Sequence, residues 1–199
     1  MKERWYGDDR DLVKWGVLLH LSDIYSVKRI LQVAYFRTNE WCRLEIDGQE
    51  KSIPESVTSH FKNLNNIENL SSILQIKVLD SLFENRDEYK RKIAEAIRGP
   101  HPCIIFLDPD TGLQPSNSSP KLEHVLASEL KYIWDEIPVG DLLVLYQHRT
   151  NRNRQDWIEP KRKQFEMALG LPCGGAKVAN ELPKNMSDVA FYYCRKETA

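Results

Sequence analysis

The sequence predicts an α/β fold in three layers, a mostly parallel sheet covered by helices on both faces and finished by an antiparallel C-terminal strand. Three observations lead there. Short apolar runs recur along the chain, as RILQVAYF (29–36), LQIKVLDSLF (74–83), CIIFL (103–107) and DLLVLYQ (141–147). Stretches with apolar residues at helical spacing stand between them, and strands alternating with helices connect by right-handed crossovers into parallel sheets. The chain then closes with AKVANEL (176–182) and DVAFYYCRK (188–196), two strand-like runs joined by a Pro-Lys-Asn turn.

Taken in order, GDDRDLVKWGVLLHLSDIYS (7–26) predicts a helix capped by Asp8 or Asp9, with Leu12, Trp15, Leu19 and Tyr25 near helical spacing against the sheet. RILQVAYF is the first strand, and the polar RTNEW follows it. CRLEIDGQEKSI (42–53) alternates around Asp47-Gly48, a hairpin signal. Residues 54–74, rich in Asn and Ser, predict one or two weak helices. RDEYKRKIAEAI (86–97) sets Tyr89, Ile93 and Ile97 on one helical face, and Gly99-Pro100 stops it. After CIIFL, SPKLEHVLASELKYIWDEI (119–137) predicts a helix capped by Ser119 with Pro120 in its first turn. A helix over 156–169 follows DLLVLYQ.

At 199 residues, 41% of them hydrophobic, the chain makes a single domain spanning 1–199. A chain of this size buries roughly 70% of its unfolded surface. Lys and Arg (28) nearly balance Asp and Glu (29), so any nucleic-acid surface must be local. Cys42, Cys103, Cys173 and Cys194 lie far apart with no Cys-x-x-Cys pair, which predicts reduced core or near-core residues in a cytoplasmic protein. No apolar run approaches the roughly 20 residues of a membrane span, and the N-terminus is charged and aromatic. Neither a membrane-spanning nor an exported protein is expected.

Open parallel sheets bind ligands at the carboxyl ends of their strands. That rule places Arg37, Thr38, Asp108, Asp110, Thr111, His148 and Arg149 on one rim. CIIFLDPDTGL (103–113) runs an apolar strand into two carboxylates one residue apart, stiffened by Pro109. Such a pair can hold a divalent cation, accept a proton, or bond an amine or a ribose. It reads equally as an Asp-Pro turn in which Asp110 caps the local backbone. Gly7, Asp8, Asp11 and Lys14 crowd one helix start, where acids also favour the helix dipole and Gly7 lets backbone approach a ligand closely. YQHRTNRNRQDWIEPKRK (146–163) mixes Arg149, Arg152, Arg154 and Arg162 with Trp157, which suits phosphate contact and stacking, or a solvated helix face and loop. His148 at a strand end can be a base, a ligand or a simple hydrogen-bond donor.

Two of these motifs resemble a known family. Gly7, Asp11 and Lys14 in YGDDRDLVKWGVLLHL are spaced like the opening helix of bacterial 23S rRNA adenine-N6 methyltransferases. IIFLDPDTGL stands where amino-methyltransferases keep an Asp-Pro-Pro-aromatic motif after their fourth strand, and the two closing strands are similar to the hairpin that ends the methyltransferase sheet. The resemblance implies a Rossmann-like methyltransferase fold, S-adenosylmethionine as cofactor, and a nucleic-acid partner met by residues 149–163. It makes Asp108 the catalytic candidate that accepts a hydrogen bond from the target amine, with Asp110 and His148 beside it. Gly7, Asp11 and Lys14 of the matching motif, with Asp8 at the same helix start and Arg37 and Thr111 on the strand-end rim, are the candidates for the cofactor side.

The sequence departs from that family twice. Asp110 and Thr111 replace the second proline and the aromatic residue that stacks on the flipped base. QVAYFRTNEW has no glycine where methyl-donor sites bring backbone close to the cofactor. The chain is also similar to bacterial proteins that share a GDxRDLxK and FLDPDxGL pattern, which supplies no chemistry. IIFLDPDTGL looks as well like the first motif of haloacid-dehalogenase-type phosphatases, with Thr and Gly in swapped order. The corresponding alternative is a nuclease or phosphohydrolase in which Asp8 or Asp11 joins Asp108 and Asp110 around Mg2+. A third is a degenerate methyltransferase fold serving as a binding module.

Overall fold

Strands covered on both faces read as unbroken apolar runs, and β1 (Arg29–Val33) and β5 (Cys103–Leu107) are buried along their whole length. The computed structural model describes residues 9–37, 43–54, 57, 64–116, 118–149, 156–180, 182–183 and 186–198. In it β1 and β5 are neighbours in a six-stranded sheet completed by β4 (Gln75–Leu79), β8 (Leu142–His148), β9 (Lys177–Ala179) and β10 (Val189–Arg195). The order is β4-β1-β5-β8-β10-β9. β1 pairs in parallel with β4 and β5, and β5 with β8, whereas β10 runs antiparallel to β8 and β9. This is a Rossmann-like arrangement with an antiparallel C-terminal strand.

Helix α1 (Asp9–Tyr25) covers one face, where Trp15, Leu18 and Leu21 pack on Ile30, Phe106 and Phe191. On the other face lie α2 (Arg86–Ile97), α3 (Ala127–Glu136) and α4 (Ile158–Leu169). Tyr89, Ile133 and Phe165 meet Leu31, Ile105 and Leu145 there. Each such fully buried side chain contributes about 1.5–3 kcal/mol relative to exposure. Two smaller sheets stand apart: β2 (Arg43–Ile46) with β3 (Gln49–Ser52), and β6 (Gly112–Leu113) with β7 (His124–Val125). The first is the expected hairpin, with Asp47 (φ 53°) and Gly48 (φ 72°) both left-handed, as a two-residue turn of matching twist requires.

Three expectations are corrected. The helix expected from Ser119 starts only at Ala127, because residues 121–125 form a turn, closed by the His124 N–H donating to Lys121 O at 3.1 Å, and then the short strand β7. His124 and Val125 pair with Gly112 and Leu113, while the Arg86 guanidinium donates to Lys121 O (2.6 Å) and to the Glu129 carboxylate (2.7 Å). Glu129 in turn accepts the Leu126 N–H at 2.9 Å, and this ties the helix start. On α1, Leu12 is 75% exposed, and the buried stripe runs instead through Asp11, Lys14, Trp15, Leu18, Leu21 and Ser22. Of the cysteines, Cys103 and Cys194 are buried but Cys173 is exposed, and all three are free; Cys42 lies outside the described residues. Within 54–74 the described element is a 3-10 helix, Leu64–Asn69. No helix among the described residues is long and apolar enough to cross a membrane.

The topology fixes where a site belongs. From β1 the chain goes outward to β4, then returns past β1 to β5, so the order reverses between β1 and β5. Crevices in open sheets form at the carboxyl ends of strands flanking such a reversal. Here those ends are Val33 and Leu107, joined by the Asp108 N–H donating to Val33 O at 3.0 Å.

Candidate functional site

Asp108 follows β5 directly, and its side chain turns toward α1, where it is only 1% exposed. A carboxylate so buried needs a cation or several donors. It has both: Lys14 Nζ lies 3.0 Å from Oδ1, and Gln32 Nε2 donates to Oδ2 at 2.9 Å. Asp11 approaches the same ammonium at 3.1 Å, and the Tyr146 ring lies 4.5 Å from it. Burial alone would lower the Lys14 pKa, but the Asp108 and Asp11 carboxylates outweigh it and hold it above the ordinary lysine value. Lys14 is therefore cationic at neutral pH and is neither a base nor an amine nucleophile. Helical periodicity explains the convergence, since Asp11 and Lys14 are three apart on the buried stripe of α1.

The rest of the motif is held by a different set of groups. Gly112 has φ 102°, and a Cβ there would come within 2.4 Å of Gln147 Oε1. The close approach lets Gln147, inside β8, accept the Leu113 N–H (2.7 Å) and donate to Thr111 O (3.0 Å). From α4, Lys161 Nζ donates to Leu113 O at 2.7 Å, and burial lowers its pKa to about 8. Thr111 Oγ lies 2.7 Å from Glu123 O and 2.5 Å from His124 Nδ1. A carbonyl can only accept, so the hydroxyl proton goes to Glu123 O and His124 Nδ1–H donates to Oγ. The pair is a clamp and leaves the hydroxyl unactivated.

Asp110 turns the other way from Asp108 and forms an ion pair with Arg37. His148 is fastened through its backbone, donating to Thr111 O at 3.0 Å, while its ring stands edge-on to Tyr146. Asp188 is bound by Arg10 at 3.1 Å and reaches only 3.9 Å from His148 Nδ1, too long for a hydrogen bond. Burial first, and Arg10 second, push the His148 pKa down to about 4, so the ring is neutral at pH 7. Beyond Thr111 a cleft of about 370 Å³ opens, with His148 and Arg149 on its wall.

The structure thus brings Asp11, Lys14 and Asp108 into one cluster and places Asp110, Arg37, Thr111, His148 and Arg149 around the loops beside it. Arg162 lies on α4, paired with Glu159 at 2.7 Å. Gly7, Asp8, Thr38, Arg152 and Arg154 lie outside the described residues. Of the acids in the magnesium alternative, Asp11 and Asp108 converge on an ammonium and Asp110 faces a guanidinium, while Asp8 lies outside the described residues, among which no group of three or more His, Cys, Asp or Glu is arranged to hold a metal. The described part of the turn after β1, residues 34–37, offers S-adenosylmethionine no open backbone. Ala34 and Tyr35 are buried there, the Tyr35 N–H donates to Tyr89 Oη at 3.0 Å, and the Tyr35 ring packs against Phe83 and Tyr89. Backbone that a methyl donor would approach is covered by aromatic side chains.

Sequence reasoning missed Gln32 and Gln147, although each is a polar residue interrupting an apolar strand. It also missed Arg10, Asp188 and His124, whose partners are distant in sequence. No protein-family model matches the chain, and no curated protein does. Among solved structures, it is similar to the S-adenosylmethionine-dependent methyltransferase SibL in its apo form, with 11% identity and a TM-score of 0.41. That match covers 92% of this chain and 54% of the other, so the chain spans about half the length of SibL.

Proposed function

We propose that the chain is a derivative of the methyltransferase-type fold that binds nucleic acid at its strand-end rim as a binding module. The observation that carries this is a contrast between two neighbouring places. The positions where transfer chemistry would sit are filled, Asp108 by Lys14 and Gln32 and the turn after β1 by Tyr35 and Tyr89. The cleft beside them is open and carries Arg149 from the basic segment 149–163. A second reading keeps the methyl transfer, and the position of Asp108 at the end of β5 beside the reversal of strand order favours it.

Calorimetric titration separates them. A ten-nucleotide single-stranded RNA should give heat, and S-adenosylmethionine should give none. Saturable heat with S-adenosylmethionine would replace the binding module by the transferase, and saturable heat with magnesium chloride would restore the hydrolase.

A further inference from the structure

We infer that the cleft beyond Thr111 is a phosphate subsite for a nucleotide, with Arg149 and Lys121 as its two cationic arms. Its volume of about 370 Å³ falls within the range of small-ligand pockets, which begin near 300 Å³, and suits one nucleotide unit. Its charge points to an anion. Among the described lining residues there are two cations, Lys121 and Arg149, and one acid, Glu123, which leaves a surplus of one positive charge. A phosphodiester carries one negative charge. His148 and His124 add none, because burial depresses both pKa values; the neutral His148 ring keeps one N–H that can donate, whereas His124 spends its N–H on Thr111. Arg149 Nε is buried without a partner among the described residues, so this donor awaits an acceptor. Glu123 lies 4.0 Å from Lys121 Nζ, the limit of an ion pair, and is the acid that a bound phosphate would have to face.

The walls are built rather than incidental. The Arg149 N–H donates to Asp188 O at 2.7 Å, the His148 N–H to Thr111 O at 3.0 Å, and Arg86 holds Lys121 O at 2.6 Å. Ser118 at the rim donates its hydroxyl to Pro115 O at 3.0 Å, which steadies that edge of the cleft. The two cationic arms therefore stand on two separately anchored segments, so less ordering is left for the ligand to impose.

The inference rests on the nucleic-acid reading and names where its phosphate sits. Fluorescence anisotropy of a labelled ten-nucleotide single-stranded RNA, with adenosine monophosphate and inorganic phosphate as competitors, tests it. Arg149→Ala and Lys121→Ala should each weaken binding about tenfold and reduce the slope of log affinity against log salt by roughly 0.7, the value for one phosphate contact on a single strand. Gln, which keeps bulk but not charge, should behave like Ala at both positions. Full competition by adenosine monophosphate assigns the subsite to a free nucleotide phosphate, and binding of the RNA alone assigns it to the polymer. Unchanged affinity and slope in both variants would overturn the subsite while leaving RNA binding intact. Heat with S-adenosylmethionine, together with weakened RNA binding in the variants, would instead overturn the binding-module reading and keep the subsite. Absence of binding by RNA, adenosine monophosphate and phosphate alike would sink both.

Discussion

At the scale of single residues, the Lys14 ammonium is the group on which most depends. Two carboxylates, at 3.0 and 3.1 Å, face it in a site nearly closed to water. Such an ion cluster is costly to desolvate, so its net contribution is small while intact, but removing one partner leaves buried charge unpaired at about 3–5 kcal/mol. Lys14→Met should lower stability by that amount in urea denaturation. Adding Asp11→Asn and Asp108→Asn to Lys14→Met should recover most of it, because no charge then remains to strand. A loss under about 1 kcal/mol in Lys14→Met would mean that water reaches the carboxylates and the cluster is not closed. Asp108→Asn alone should cost less, since Lys14 keeps Asp11. The outcome also bears on function, because a carboxylate held by Lys14 and Gln32 could receive a substrate amine only by giving up one of those partners.

Among the elements, the segment from Asp108 to Leu113 shows how one strand shapes another's loop. Gly112 is required twice, by its left-handed φ and by the side chain of Gln147 against it. Gly112→Ala should therefore cost about 1–3 kcal/mol for the backbone conformation, with overpacking in addition. Adding Gln147→Ala should recover the overpacking part and none of the backbone part. Strict additivity of the two substitutions in a double-mutant cycle would show that they do not touch. Elements set by local signals were legible: CIIFL became β5 with the expected bounds, RDEYKRKIAEAI became α2, and Asp47-Gly48 made its turn. The start of α3 was not, because what opposes a helix at residues 121–125 is Arg86 and the strand pairing with Gly112, both remote in sequence. The strand-end rule anticipated which rim carries Asp108, Asp110 and His148. It did not anticipate their partners, Lys14 on α1 for Asp108 and Arg37 for Asp110: residues two apart in a strand share a face, and the two carboxylates part because the chain leaves strand geometry after Leu107.

For the whole molecule, the rim groups set how stability depends on pH. His148 has a folded pKa near 4 against an unfolded value of about 6.5, because burial and the neighbouring Arg10 and Lys14 cations oppose its protonation more than Asp188 and Asp108 favour it. Between those values the unfolded chain binds a proton that the folded chain refuses. Stability must then fall as pH drops from about 6.5 toward 4 and level off below, as far as this group is concerned. Asp188 adds to the acid loss, its pKa being lowered by Arg10 against the opposing effect of burial, so its contribution fades as pH falls through its folded value. Asp141 acts in the opposite sense, since burial raises its pKa and the folded chain takes up its proton first. Asp141 titrates alike in wild type and in His148→Gln, and Asp188 keeps Arg10 in both and loses only the smaller effect of His148, so the comparison reports chiefly on the histidine. Urea denaturation at pH 7 and pH 4.5 should show a wild-type loss larger than the variant's by on the order of 2 kcal/mol, reduced to the extent that the half-buried ring meets water. An equal loss in both proteins would mean that His148 protonates freely in the fold. It would then add a positive charge to the cleft wall in mild acid, and RNA binding should strengthen between pH 7 and 6 instead of staying level as a neutral ring requires.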